Sequence, residues 1–230
     1  MSERVPDEIV ALLSAHAEEN EQEKIARRLR GSSRPLGVRM KTVFDLAKTY
    51  RDIDLGDVPR LLRAPWYEVR MVGVSILDFR ARLRLTDDQR AELARLYLDH
   101  HDMLDTWDFV DRAAPRVIGG WLLTRSDRSI LDTLAASPHT YERRSAITAT
   151  FWLVRHGEVA DALRIAETLA RDLEPDVTSS VGVALREVSV QDEAAVVAFL
   201  RRCRGDLPRP ALRTAVGKLD ATLKAELTAR

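Results

Sequence analysis

The sequence predicts an all-α protein built from repeated helix pairs, an α-solenoid. Apolar residues recur at helical spacing along most of the 230 residues, and the alternating pattern of strands joined by two-residue hairpin turns is absent. A helix breaker also recurs at a nearly constant interval, before short helices. These breakers are Pro65, Asp102, Pro138, Pro175 and Pro210, and they stand about 35 to 37 residues apart. A period of this size, with two helices per unit, is typical of HEAT or armadillo repeats.

Single segments support the helical prediction. In "LTDDQRAELARLYLDH", Thr86 is a predicted N-cap because two acids follow it in the first turn. The segment 157–173 predicts another helix, with an apolar stripe of Val159, Leu163, Ala166 and Leu169 or Ala170. Roughly a dozen such helices fit into the chain.

The repeats predict one domain over residues 1–230. We expect a helical cap at 1–35, repeats over 36–219 and a C-terminal tail at 220–230. Five or six antiparallel helix pairs would then form a right-handed superhelix, with the second helix of each pair lining a concave groove. The alternative is a helical bundle whose prolines are evenly spaced by chance.

The composition restricts the classes of partner. The 36 basic and 36 acidic residues cancel, so no overall positive field attracts nucleic acid or an anionic membrane. A single cysteine, Cys203, excludes an internal disulfide and suits a reducing compartment, so we expect a cytoplasmic protein. The N-terminus does not resemble a signal peptide, and no window holds the roughly 18 apolar residues of a membrane span. The histidines lack metal-ligand spacing, and we expect neither a metal nor another cofactor.

A basic surface would therefore be local. Stacked repeats would bring together the basic side chains at corresponding points of the second helices, namely Arg70, Arg112, Arg143 or Arg144, Arg186, Arg213 and Lys218. Arginine forks bind phosphate in a bidentate manner, which would suit a nucleic-acid backbone. Charge alone favours the alternative, in which these arginines form a solvated face and pair with nearby acids.

The run "DTWDFVDRAAP" at 105–115 is the candidate chemical site. Trp107 and Asp111 are four residues apart, so their side chains share one face of a helix, whereas Asp108 is expected to point outward. Pro115 has no N–H to donate to the carbonyl of Asp111, which would loosen the helix there. The alternative is a tryptophan packed in the core and an aspartate that caps the helix or pairs with arginine.

Several motifs in order give a family resemblance. They are "PLGVRM" (35–40), "APWYEVRMVGVSIL" (64–77), "TWDFVDRAAP" (106–115), "YERRSAI" (141–147) and "VGVALREV" (181–188). Together they resemble the AlkD-type DNA glycosylases of the DNA alkylation repair family, which are HEAT-like repeat proteins of about this length. The resemblance extends from about Pro35 to about Leu219, and the W-D-x-V-D run is its most specific element.

The resemblance implies roles for particular residues. It places Trp107 and Asp111 at the active site and assigns the grip on the DNA backbone to Arg144, with Arg143 one position away. Better known members carry a second tryptophan where this chain has Val183. This departure puts the activity or the shape of the accepted lesion in doubt.

Further DNA contacts are expected along the groove. The candidates are Arg70, Arg186 and Arg213, and also Trp66 and Tyr67, for which core packing is the equal alternative. The implied partner is double-stranded DNA that contains alkylated purines, bound by a monomer.

The resemblance implies hydrolysis of the N-glycosidic bond of positively charged N3- or N7-alkylated purines, without base flipping. Bulky adducts are included among the possible lesions. Two alternatives stay open: a non-catalytic protein of the same fold that binds damaged or branched DNA, and a protein-binding solenoid with an apolar concave surface.

Overall fold

The computed structural model describes residues 4–29 and 31–229, and the regular structure within these ranges is helical. One isolated bridge within these ranges joins Arg34 to Trp66, immediately before a helix. The predicted all-α class is confirmed.

Fourteen α-helices follow one another along the described chain. They are α1 (Arg4–Ser14), α2 (Glu19–Arg28), α3 (Met40–Thr49), α4 (Val58–Leu62), α5 (Tyr67–Ala81), α6 (Asp87–Asp99), α7 (Trp107–Leu122), α8 (Ile130–Ala135), α9 (Thr140–Arg155), α10 (Ala160–Leu169), α11 (Pro175–Gln191), α12 (Glu193–Cys203), α13 (Arg209–Ala215) and α14 (Ala221–Thr228). Short 3₁₀ turns lie at Leu55–Asp57, His101–Met103 and Val216–Lys218.

The evenly spaced breakers mark the starts of alternate helices. Pro175 and Pro210 are the first and second residues of α11 and α13, Pro65 and Pro138 lie two residues before α5 and α9, and Asp102 lies in the 3₁₀ turn that precedes α7. A proline fits the first turn of a helix because the first N–H groups have no intrahelical acceptor, and a proline just before a helix prevents the helix from starting earlier. The repeat period read from the sequence therefore matches the helix register.

Thr86 caps α6 as predicted. Its hydroxyl accepts a hydrogen bond from the backbone N–H of Gln89, whose side chain accepts one in return from the N–H of Thr86. This reciprocal pair is a capping box.

The buried stripe of α10 differs from the predicted one. Ala162, Ile165, Ala166 and Leu169 are buried, whereas Leu163 is only partly buried. Val159 is also partly buried, and it lies just before the helix, which begins at Ala160. Ala166, Leu169 and Ala170 are buried as predicted, whereas Ala162 and Ile165 take the places expected for Val159 and Leu163.

The chain divides into two compact units, residues 1–113 and 114–230, and the division falls within α7. In the first unit α5 is the central helix, packed by α1, α3, α4 and α6. Nearly every side chain of α5 is buried, including Glu68 and Asp78. Such all-round burial is expected for a helix with neighbours on several sides.

Glu68 fixes the segment before α3. Its fully buried carboxylate accepts hydrogen bonds from the backbone N–H groups of Leu36 (2.8 Å), Gly37 (2.8 Å) and Val38 (3.1 Å). Gly37 has φ of 95°, a conformation that residues with a Cβ seldom adopt. The "PLGVRM" motif is thus a tight turn held by a buried acid.

The second unit consists of two helix layers. The helices α9, α11 and α13 pack side by side, and α8, α10 and α12 form a second layer that contacts them, while α14 packs on α12 and on the 3₁₀ turn Val216–Lys218. The prediction of stacked helix pairs is confirmed here. Within the unit, Gly182 of α11 allows close approach to α13, because a Cβ at this position would lie 2.6 Å from the carbonyl oxygen of Ala211.

A membrane span requires a helix that is both long and apolar. Within residues 4–29 and 31–229, no helix combines the length and apolarity needed to cross a membrane.

Candidate active site

Trp107 and Asp111 lie at the start of α7. Trp107 is the first residue of this helix and is 41% exposed, and Asp111, one turn later, is partly exposed. The alternative in which Trp107 packs in the core is therefore wrong. An indole that is partly exposed at a helix start is accessible to a ligand.

The structure corrects the expected orientation of Asp108. Its side chain is only 12% exposed and lies against the first unit instead of pointing outward. One oxygen, Oδ2, accepts hydrogen bonds from the hydroxyl of Tyr67 at 2.5 Å and from Nη1 of Arg28 at 2.7 Å. The other, Oδ1, accepts one from the hydroxyl of Thr106. Both oxygens of this carboxylate are thus engaged.

Tyr67 is the core partner of Asp108. Its ring is fully buried and stacks on Phe109, with centroids 5.3 Å apart, while the Arg28 guanidinium carbon lies 5.2 Å from the ring centroid. Burial, and then the negative charge of Asp108, raise the pKa of the Tyr67 phenol well above its ordinary value. The phenol therefore stays protonated and donates to Asp108. This burial favours core packing over a direct contact of Tyr67 with DNA.

Asp105 forms a second anchor just before α7. It accepts hydrogen bonds from the backbone N–H of Ser32 (2.7 Å) and the hydroxyl of Ser32 (2.8 Å), and from Nη1 of Arg70 at 3.2 Å. Arg70 is buried, and its Nε donates to the carbonyl of Ala64 at 2.6 Å. Its guanidinium is held by the protein itself, which favours a structural role over phosphate binding. Trp66, just before α5, is partly exposed.

The sequence did not identify Arg28 as part of this region. It is the last residue of α2, and no local pattern distinguishes it from the arginine that precedes it. The pair of acids at Asp105 and Asp108 could have indicated a basic partner, because partly buried carboxylates require hydrogen-bond donors nearby.

Arg143 and Arg144 both lie in the second unit, in the first turns of α9. Arg143 donates to both carboxylate oxygens of Asp172, from Nε at 2.6 Å and from Nη2 at 3.2 Å. Arg144 is buried, and its Nη1 donates to the carbonyl of Asp176 and to the hydroxyl of Ser179, the latter at 3.4 Å. The two neighbours therefore differ: one forms a carboxylate pair and the other contacts the first turn of α11.

The remaining predicted DNA contacts also lie in the second unit. Arg186 in α11 pairs with Glu187 at 3.1 Å and is 36% exposed, and Arg213 in α13 is exposed. Val183, in the same helix as Arg186, is partly exposed. These side chains retain access to solvent and to a ligand.

One of the predicted basic residues, Arg112, pairs with an acid, but this pair is buried and is not part of a solvated face. Arg112 lies 3.1 Å from the fully buried carboxylate of Asp78 and 3.1 Å from the hydroxyl of Ser75. A buried pair of this kind holds helices together, because removing one partner leaves the other charge buried and unpaired. We therefore assign Arg112 to the structure of the first unit.

The described residues contain no group of three or more His, Cys, Asp and Glu side chains that could hold a metal ion. The chemistry available at the start of α7 is that of a carboxylate beside an aromatic face. A carboxylate stabilises developing positive charge, and the π-face of an indole does so too.

The fold and this site define an all-α repeat protein that presents an exposed tryptophan and a carboxylate at one helix start. The family described as DNA alkylation repair enzyme matches residues 9–219 of the chain. The chain belongs to this family, which assigns it to DNA repair with DNA as its partner.

A solved structure shares the fold. A predicted DNA alkylation repair enzyme from Enterococcus faecalis superposes with a TM-score of 0.70, over 90% of this chain and 98% of the other. The two sequences are 13% identical. No protein with curated function matches the chain.

Proposed function

We propose that this protein is a monofunctional DNA glycosylase that hydrolyses the N-glycosidic bond of cationic N3- or N7-alkylated purines, bulky adducts included. The observation that carries the proposal is the exposed Trp107 one turn before Asp111, on a helix start held by the hydrogen bond from Tyr67 to Asp108, in a DNA alkylation repair chain. Double-stranded DNA is the proposed substrate, and a single copy of the chain is the catalytic unit.

The chemistry of the substrate determines what the protein must supply. Alkylation at N3 or N7 places a positive charge on the purine, so the base departs as a neutral molecule with the bonding electron pair. Positive charge then develops on the deoxyribose, as in glycoside hydrolysis. A water molecule adds its oxygen to C1′ and releases a proton, which leaves an abasic site.

Asp111 supplies the negative charge in this proposal. A fixed carboxylate beside the sugar stabilises the oxocarbenium-like transition state more than the ground state, and this difference accelerates the reaction. In this proposal the same carboxylate also orients the attacking water. The departing base needs no general acid, because the alkylated purine already carries a positive charge before the glycosidic bond breaks.

Trp107 and Arg144 position the DNA. The exposed indole lies flat against the sugar and presents its negative π-face to the developing charge. Arg144 binds a phosphate near the lesion, as the family resemblance implies, and for this contact its guanidinium turns from Asp176 and Ser179 of α11 towards the DNA. We propose that the base remains stacked in the duplex and is not rotated into a pocket. In this arrangement the protein acts on the sugar and on the DNA backbone from outside the duplex.

The decisive test is Asp111→Asn in a single-turnover assay of free-base release from methylated duplex DNA. The substitution keeps the side-chain shape and removes the charge, so we expect a rate loss of about 10²-fold or more with little change in DNA affinity. Asp102→Asn is the matched control, because Asp102 is an exposed carboxylate in the turn before α7. An equal loss of binding and rate for Asp111→Asn would show a structural role instead.

Val183 favours a second candidate function, a protein that binds damaged or branched DNA without cleaving the glycosidic bond. A valine cannot replace the aromatic surface that the family resemblance places at this position. The same assay separates the two functions. If the wild-type protein binds lesion DNA and releases no base from any cationic lesion, the non-catalytic function is the correct one.

A further inference from the structure

We infer that the cluster of Arg28, Tyr67 and Asp108 positions Trp107 and Asp111 for base release. The inference rests on the proposed glycosylase function and names residues that act in it without touching the substrate. Asp108 directly follows Trp107 in the chain and precedes Asp111 by three residues. A side chain held at this point therefore fixes the backbone of both.

The hydrogen bonds to Asp108 come from three separate segments. Thr106 precedes α7, Tyr67 opens α5, and Arg28 ends α2. Because the donors approach both oxygens, the carboxylate cannot rotate without breaking at least one bond. Charged acceptors also make the stronger hydrogen bonds. Asp108 is thus the point at which the first turn of α7 is joined to the rest of the first unit.

The donors are themselves held in place. The Tyr67 ring lies between Phe109 and the Arg28 guanidinium, and it is fully buried. Arg28 places a positive charge 2.7 Å from Asp108, which offsets the cost of burying the carboxylate. The hydroxyl of Tyr67 therefore reaches Asp108 from a fixed ring and has little freedom to follow a displaced helix.

Asp105 adds a restraint on the other side of Trp107. Its contacts with Ser32 and Arg70 hold the chain two residues before the tryptophan. Trp107 is thereby exposed on a backbone that is anchored before and after it. Such support is relevant to catalysis because a displacement of about 1 Å at a reacting group can cost about 10²-fold in rate.

Tyr67→Phe is the principal test, because it removes one hydroxyl and keeps the ring that packs on Phe109. We expect single-turnover base release to fall by about tenfold or more, while the affinity for lesion DNA changes less than about twofold. Asp108→Ala should lose at least as much, and the Tyr67→Phe/Asp108→Ala double variant should be no slower than Asp108→Ala alone, since both act through one contact.

Tyr50→Phe is the matched control. The hydroxyl of Tyr50 also donates to a carboxylate, that of Glu8 at 2.6 Å, but Tyr50 directly follows α3 and its partner lies in α1. This variant should retain the wild-type rate. A loss of rate in Tyr50→Phe equal to that in Tyr67→Phe would overturn the inference, because the effect would then be one of general stability.

A spectroscopic measurement separates this inference from the proposed function. In protein labelled with 5-fluorotryptophan, the Trp107 signal is assigned with Trp107→Phe, and we expect Tyr67→Phe to shift or broaden it while Tyr50→Phe does not. An active wild type with an unchanged Trp107 signal and full rate in Tyr67→Phe would overturn the inference alone. A wild type without base release would overturn the proposed function first and the inference with it.

Discussion

Three side chains close together at the start of α7 have different environments. Trp107 is exposed, Asp108 is held by the core, and Asp111 is partly exposed one turn later. Helical spacing was enough to predict that Trp107 and Asp111 share a face, because both belong to one short run. The partners of Asp108 lie 80 and 41 positions away in the sequence, and no local pattern encodes contacts at that distance.

The choice between Arg143 and Arg144 as the phosphate-binding residue leads to a prediction. We expect Arg144→Ala to weaken DNA binding and to reduce the slope of log K against log salt by about 0.9, the value for one phosphate contact. Arg143→Ala should leave that slope unchanged, because the positive charge of Arg143 is already matched by the carboxylate of Asp172, to which it donates two hydrogen bonds. The measurement is DNA affinity over a series of salt concentrations.

Thermal unfolding of both arginine variants provides the control. Each variant loses intramolecular hydrogen bonds, so both should be destabilised. If Arg143→Ala instead reduced the salt slope and Arg144→Ala did not, Arg143 would be the residue that binds the phosphate, one position from our assignment.

Helices were predicted well from the sequence wherever a breaker or a cap marked their start. Prolines lie in the first turns of α11 and α13 and two residues before α5 and α9, and Thr86 caps α6. The buried face of α10 was predicted in its second half, at Ala166 and Leu169, but not at Val159, which lies outside the helix. Side-chain burial is therefore harder to predict than the helix itself, because it depends on which neighbouring helices pack against each face.

Close helix packing leads to a prediction about Gly119, in the part of α7 that belongs to the second unit. A Cβ at this position would collide with the carbonyl oxygen of Ala149 in α9. We expect Gly119→Ala to lower the free energy of unfolding by about 1–3 kcal/mol, because overpacking outweighs the gain in helix propensity of about 1 kcal/mol. Denaturant unfolding measures the change.

Gly205→Ala is the matched control for the packing prediction. A Cβ added at Gly205 would meet no other part of the protein within 4 Å, and the φ of this glycine is not positive. Its substitution should change stability by less than about 0.5 kcal/mol, as is usual at open surface positions. Equal effects of the two substitutions would mean that α7 and α9 tolerate a wider separation than the structure shows.

The chain taken as a whole shows what a repeat period can and cannot predict. The even spacing of breakers predicted stacked helix pairs, because each pair must bury its apolar face against the next. It could not predict which arginines pair within the protein. Arg70, Arg112 and Arg143 each contact an acid of their own unit. These pairs join residues that are 29 to 35 positions apart in the sequence, so a repeat period does not reveal them.

We expect Val183 to control which DNA lesions the protein accepts. Val183 is partly exposed on α11, at the position where the family resemblance places a second tryptophan. A small side chain there leaves space around the lesion and provides little surface to hold a methylated base. We expect the wild type to favour bulky N3- or N7-linked purine adducts, because a large adduct supplies its own contact area.

Val183→Trp should therefore shift the preference towards small lesions. A tryptophan restores an aromatic contact surface and fills the space that a bulky adduct would occupy, so base release from methylated DNA should rise and release from bulky-adduct DNA should fall. Val190→Trp makes the same substitution at a 61% exposed position further along α11 and should change neither rate. The ratio of single-turnover rates on the two substrates is the quantity to measure. If Val183→Trp raised both rates alike, position 183 would contribute general affinity for DNA, and the size of the lesion would be selected by other residues.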